Sequence, residues 1–270
     1  MTDIGLSDVA GTFDASSRRP RRGRSALFWR IAVAAAFLAT WHYAVEAKLI
    51  DKFWISSPAE VLSRIVGWFA TGEIWPHLGA TVLETVAGFL FGCLFGVVFG
   101  LIFGMSRRVA DVMEIYIVAL YSMPKVALAP LFILWFGIGI TSKIMLAAIG
   151  VFFLVFYNTY SGALNTEREL LDVIRLMGGN QSHIIRKVIL PSALVWIFTG
   201  MKIAIPYALI GAVVGEMMAA NRGVGYLIQA SAGQFDTGGV FAALLILVVL
   251  STATQFFLRK IESRVLRWKA

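Results

Sequence analysis

The chain has 270 residues, of which 59% are hydrophobic and only 15% charged, with 24 Lys and Arg against 16 Asp and Glu. A mean hydropathy of +0.78 excludes an ordinary water-soluble domain, in which about half the residues are apolar and about a quarter charged. The composition is that of an integral membrane protein, and the long, non-alternating apolar runs exclude β-barrel spans.

Residues 1 to 17 are small and polar without periodicity, and a disordered basic tail is expected over residues 1–25. The tail carries the run Arg18-Arg19-Pro20-Arg21-Arg22-Gly23-Arg24. Nucleic-acid binding and the n-region of a cleaved signal are alternative uses of such a run, but a basic flank before a first span is what topology alone requires. No nucleic-acid partner is therefore expected.

A helical span needs about 20 mostly apolar residues, and six are predicted, at 26–45, 79–105, 112–138, 144–164, 192–219 and 240–258. Cytoplasmic loops collect Lys and Arg. An inside N-terminus places Arg18, Arg19, Arg21, Arg22, Arg24, Arg107, Arg108, Arg168, Arg175, Arg186, Lys187, Arg259, Lys260, Arg264, Arg267 and Lys269 in inner segments, sixteen of the 24. The outer segments keep Lys48, Lys52, Arg64 and Arg222, with Lys143 at a boundary. Both termini are predicted to be cytoplasmic, including a C-terminal tail over 259–270.

The outer segment 46–78 contains Ser57-Pro58-Ala59-Glu60, a capping box with Pro at the first helical position. Val61, Leu62, Ile65, Val66 and Phe69 follow at helical spacing, which predicts an amphipathic helix at the outer surface. Such a helix braces the bundle or gates substrate.

The second span carries Gly88, Gly92, Gly96, Gly100 and Gly104, each four residues apart. Glycines at this spacing let another helix approach the backbone closely, or slide along it. The stripe drifts about 40° per step around a 3.6-residue helix, so one straight partner is not expected to cover all of it. Cys93 in the same span is read as a packing residue, and His42, His77 and His183 are too scattered to bind a metal. No cofactor is implied.

The third span contains Pro124 and Pro130, each of which removes a backbone hydrogen bond and so kinks the helix. In lipid such a helix faces protein or a water-filled cavity.

Between the fourth and fifth spans lies a polar island, 165–190, of a kind that offers itself to a soluble partner. Thr166 with Glu169 is read as a second capping box, opening a helix whose apolar residues Leu170, Val173, Ile174 and Met177 share a face. Gly178-Gly179 ends it, and a second short helix leads to Leu190-Pro191.

A charge at mid-bilayer costs about 2.5–3.5 kcal/mol on insertion scales, so Glu84, Lys125, Lys202 and Glu216 are functional candidates. The lysines either neutralise an anionic substrate or pair with an acid such as Glu216, and Glu216 could equally cap the Gly223-Val224-Gly225 turn. Lys125 and Glu216 are expected to face the central path.

In the island, Asp172-Val173-Ile174, Gly178 and Val188-Ile189-Leu190-Pro191 resemble the cytoplasmic loop of bacterial ABC importer permeases, E-A-A, three residues, Gly, nine residues, I-x-L-P. Asp replaces Glu and Val-Ile the two alanines. The segment from Met123 to Gly139, and Phe235-Asp236-Thr237 with Val240-Phe241-Ala242, resemble the branch that carries sulfonates, taurine and nitrate. Glu84 departs from the basic residue common in that branch.

The resemblance implies an all-α type I ABC importer permease with six transmembrane helices, its transmembrane domain over 74–258, in a bacterial inner membrane. It further implies a homodimer, docking of cytoplasmic ATPase subunits at Asp172, Val173, Ile174, Gly178, Gly179, Leu190 and Pro191, and delivery of a small, anionic solute by a periplasmic binding protein. No G-x-x-x-x-G-K-[ST] motif is present, so the energy source must be another chain. An ion-coupled secondary transporter or channel using Lys125, Lys202 and Glu216 is the alternative. A membrane-embedded enzyme is disfavoured, because no nucleophile–base pair lies in the spans.

Overall fold

The computed structural model describes residues 22–265, leaving most of the predicted N-terminal tail and the end of the C-terminal tail outside the described residues. The side chains of residues 22–27 and of Arg107, Arg108, Asp111, Glu114 and Arg168 are also outside this description. The elements are α1 (Arg22–Glu46), α2 (Pro58–Thr71), α3 (Ile74–Gly104), α4 (Arg107–Ser122), a 3₁₀ turn (Lys125–Leu128), α5 (Ala129–Phe136), α6 (Ile140–Leu164), α7 (Arg168–Leu176), α8 (Gln181–Ile184), a π turn (Ile185–Ile189), α9 (Leu190–Ala219), α10 (Val224–Gly233) and α11 (Thr237–Val265). Among the described residues five helices are long and apolar enough to span a membrane, six if a bent pair counts as one span.

That bent pair occupies the place of the third predicted span, where prolines are expected to kink the helix. The chain turns through 78° between α4 and the segment that follows. The turn lies at Met123-Pro124, where both residues are extended, as a residue preceding proline prefers. Pro130 causes no second kink because it sits in the first turn of α5, where its missing N–H has no partner to lose.

The centre of the bundle is α6, packed against α3 on one side and α9 on the other. A Cβ added to each glycine of the α3 stripe meets α6: Ala147 for Gly88, Val151 for Gly92, Val155 for Gly96, Thr159 for Gly100 and Ala163 for Gly104, at 2.5–3.0 Å. One helix therefore covers the whole stripe, contrary to expectation. Both helices advance in steps of four, so the contact follows the i±4 rows, which lie about 26° off the helix axis. A partner inclined along such a row stays over the stripe as it winds. The register also shows that α3 and α6 run in the same direction.

The helix predicted after Ser57 forms as α2. The Ser57 hydroxyl accepts the Glu60 N–H at 3.2 Å, but the return half of the capping box is absent: Glu60 instead accepts from the Ser56 hydroxyl at 2.8 Å. Val61 and Trp68 are buried, whereas Leu62, Val66 and Phe69 of the predicted stripe stay exposed. The buried edge packs on α11, and Arg64 pairs with Asp236 at 2.7 Å. α1 is held by the Trp41 indole, which donates to the Ser56 carbonyl at 2.9 Å and packs against Phe241.

Candidate functional site

The polar island folds into two short helices joined by a glycine corner. Gly178 has φ +78°, a left-handed conformation that favours glycine. Its N–H bonds to the Arg175 carbonyl and that of Gly179 to Ile174, which is a Schellman ending. A Cβ at Gly179 would stand 2.5 Å from Ile174 Cγ2, so the corner needs both glycines, one for conformation and one for space.

The two caps differ from the sequence reading. Thr166 does not open α7: it is buried, and its hydroxyl donates back into α6, to the Ala163 carbonyl at 3.0 Å. Glu167 precedes α7 without a side-chain cap. The cap lies on α8, where Asn180 Oδ1 accepts the His183 N–H at 3.1 Å and His183 Nδ1 accepts from the Asn180 N–H at 3.4 Å. The competing attraction was α6, whose last carbonyls lack intrahelical donors.

The apolar face divides in two. Leu171 and Ile174 turn inward and pack with Leu101, Ala163, Ile184 and Ile189, tying the pair to α3, α6 and the π turn that leads into α9. Leu170, Val173, Leu176 and Met177 point outward, with Leu176 88% and Met177 79% exposed. Asp172 lies beside them, paired with Arg175 at 3.0 Å. Leu171 and Leu176 were not singled out in the sequence, although both fall within the same helical pattern. Leu190 and Pro191 lie where the π turn enters α9, with the proline in the first turn.

The intramembrane charges do not form one cluster. Lys125 follows the break between α4 and α5, donates to the Tyr121 carbonyl and lies 4.9 Å from the Tyr121 ring and 5.3 Å from Phe153. Among the described residues no carboxylate pairs with it. Lys202 does pair with an acid, but with Glu262 of α11 at 2.8 Å and not with Glu216.

Glu216 is 1% exposed and fastens the turn into α10 in place of lining an open wall. Its Oε1 accepts the Thr81 hydroxyl at 2.6 Å and its Oε2 accepts the Gly225 N–H at 2.7 Å. Thr81 Oγ1 in turn accepts the Val224 N–H at 2.8 Å, and His77 Nδ1 accepts that of Gly223 at 3.1 Å. Three successive N–H groups at the start of α10 are thus taken by side chains of α3 and α9. Of these, Thr81 and His77 were not identified from sequence as partners of the turn.

Residues 92–267 match the profile of the family described as binding-protein-dependent transport system inner membrane component. Over 268 residues, 97% of both chains, the protein is 31% identical to the candidate aliphatic sulfonates transport permease protein SsuC of Bacillus subtilis. The chain belongs to this family.

The permease is also 37% identical to the riboflavin transport system permease protein RibX of Chloroflexus aurantiacus, across 86% of its own length and 87% of that chain. It is 28% identical to the taurine transport system permease protein TauC of Escherichia coli, across 88% of both chains. Among solved structures, the MetNI methionine ABC transporter in inward facing conformations superposes with a TM-score of 0.57 at 20% identity, over 73% of the permease and 95% of that chain. The fold is that of the type I ABC importer permeases. The permease is a multi-pass inner-membrane transport subunit, not an enzyme.

Proposed function

We propose that the permease is driven by a separate cytoplasmic ATPase that grips the α7–α8 pair, and that it imports a small anionic solute delivered by a periplasmic binding protein. The observation that carries this reading is the exposed Leu176–Met177 tip on a helix pair anchored by apolar contacts to α3, α6 and the π turn that leads into α9. Large apolar side chains held outward on a braced support suit a protein partner. Force on Asp172, Val173 and Ile174 would pass through Ile174 and Leu171 into two spanning helices, with Gly178, Gly179, Leu190 and Pro191 fixing the geometry. The matching loop motif and the family's dependence on a binding protein support the same assignment.

Two copies would enclose the path on a two-fold axis, with both termini cytoplasmic and the functional transmembrane domain over 74–258. Lys125 is the candidate cation on that path, since no acid neutralises it among the described residues, whereas Lys202 and Glu216 already have partners. Two relatives are named for aliphatic sulfonates and for taurine, compounds that share an anionic sulfonate group, which fits a lysine there.

Reconstitution tests the reading directly. Proteoliposomes holding the permease with its ATPase and binding protein should take up a radiolabelled alkanesulfonate only with ATP present. Lys125→Gln should lower uptake while leaving the amount of reconstituted protein unchanged. Equal uptake without ATP, or by the permease alone, would overturn the proposal.

A further inference from the structure

Lys125 has more donors than acceptors around it. An ammonium carries three N–H groups, and among the described residues the only acceptor it meets is the Tyr121 carbonyl. The ammonium stands over two rings, 4.9 Å from the centroid of Tyr121 and 5.3 Å from that of Phe153. Such cation–π contacts hold the group in position and leave its charge in place.

A row of phenols runs past this position. The ring of Tyr157, on α6, lies with its centroid 5.0 Å from that of Tyr121, at the end of α4. Tyr207 of α9 packs over Gly150, where an added Cβ would stand 3.9 Å from Tyr207 Cβ. Gly150, Phe153 and Tyr157 follow at i, i+3 and i+7 on one face of α6, a stretch about 10 Å long. Tyr121, Tyr157 and Tyr207 are 36%, 39% and 48% exposed. Among the described residues, none of the three hydroxyls makes a hydrogen bond.

An ammonium and three unpaired hydroxyls set against hydrocarbon would all be costly, so this face of α6 belongs on a water-filled cavity. Two free ammonium hydrogens and three O–H groups lie along it, and no described carboxylate pairs with the lysine. That set calls for a ligand made of acceptors and bearing negative charge. A sulfonate group offers three oxygens and one such charge, and the ring faces between the donors suit its short carbon chain.

We propose that Lys125, Tyr121, Tyr157 and Tyr207 form an oxyanion-binding station for a sulfonate head group, a proposal that rests on the placing of Lys125 on the transport path. The lysine supplies the charge. The phenols supply hydroxyl donors on both sides of it along α6, so the anion can pass from one donor to the next without leaving the station.

Charged thiol reagents read this station without a transport assay. The chain has one cysteine, the buried Cys93, so the wild type serves as the unreactive control. In the reconstituted full-length permease, Tyr157→Cys and Tyr207→Cys should react with an anionic ethylsulfonate methanethiosulfonate faster than with its cationic trimethylammonium counterpart. After correction for the reagents' rates with free thiol, the preference should be about tenfold, and adding Lys125→Gln should abolish it. Millimolar ethanesulfonate should slow the labelling. Tyr157→Phe, which keeps the ring and removes the hydroxyl, should lower ATP-dependent alkanesulfonate uptake about fivefold. Failure of both cysteines to react, as when lipid or another chain covers the row, would overturn the station, as would a preference that survives Lys125→Gln or unchanged uptake by Tyr157→Phe. Loss of ATP dependence would instead count against the importer reading, which the labelling does not test.

Discussion

The two ends of α9 solve the same problem in opposite ways. At its N-terminal end, α7 and α8 are attached by apolar contacts and leave Leu176 and Met177 in the open. At its C-terminal end, the turn into α10 is attached by hydrogen bonds from Glu216, Thr81 and His77. Apolar anchoring with a bare tip suits a unit to be gripped by another chain. A saturated polar knot suits a unit that must hold itself in place, because its groups have already found partners.

The contrast can be broken most severely at Gly223. Its φ is +122° and a Cβ there would overlap the Glu216 carboxyl group, so Gly223→Val should cost more than about 3 kcal/mol and sharply reduce the protein recovered from membranes. Thr81→Val comes next. It leaves the Val224 N–H and one Glu216 oxygen without their partner, a loss of about 2 kcal/mol, visible as a lower melting temperature in detergent.

Leu176→Glu should separate the two ends cleanly. Stability should change by less than about 0.5 kcal/mol, whereas ATPase association, followed by co-purification, should weaken at least tenfold, or about 1.4 kcal/mol. Gly178→Ala should cost about 1 kcal/mol for its left-handed backbone, with a melting shift smaller than that of Thr81→Val.

The smallest effect concerns Glu60, whose carboxyl is held below the usual carboxylate range mainly by the Ser56 hydroxyl. A depressed carboxylate stabilises the fold above its unfolded value, and that stability is lost as pH falls through the folded one. Glu60→Gln should therefore flatten a shallow acid-side decline worth less than about 1 kcal/mol, since the site is largely solvated.

Much of the fold was legible because membrane spans and glycine corners are local signals. The six apolar stretches, the island and the Gly178-Gly179 stop could all be read from neighbouring residues. What the sequence concealed depends on distant partners. Thr81 meets Glu216 across 135 positions and Lys202 meets Glu262 across 60, with no periodicity linking them. Thr166 misled for a related reason: its hydroxyl had a choice between two helices, and the nearer carbonyls of α6 won. Pro124 and Pro130 looked equivalent, yet only the first lies at the sharp bend, because the second fell into a helix's first turn.

The shared four-residue register of α3 and α6 has a mechanical consequence. Five glycines sit against α6 at Ala147, Val151, Val155, Thr159 and Ala163, like matched cogs spaced about 6 Å apart. Displacement by a fraction of that spacing would drive α6 side chains into the α3 backbone. The pair must therefore travel as a single beam, and any alternation between inward and outward openings has to be absorbed elsewhere, at the bend beside Pro124 or where α9 meets its flanking elbows.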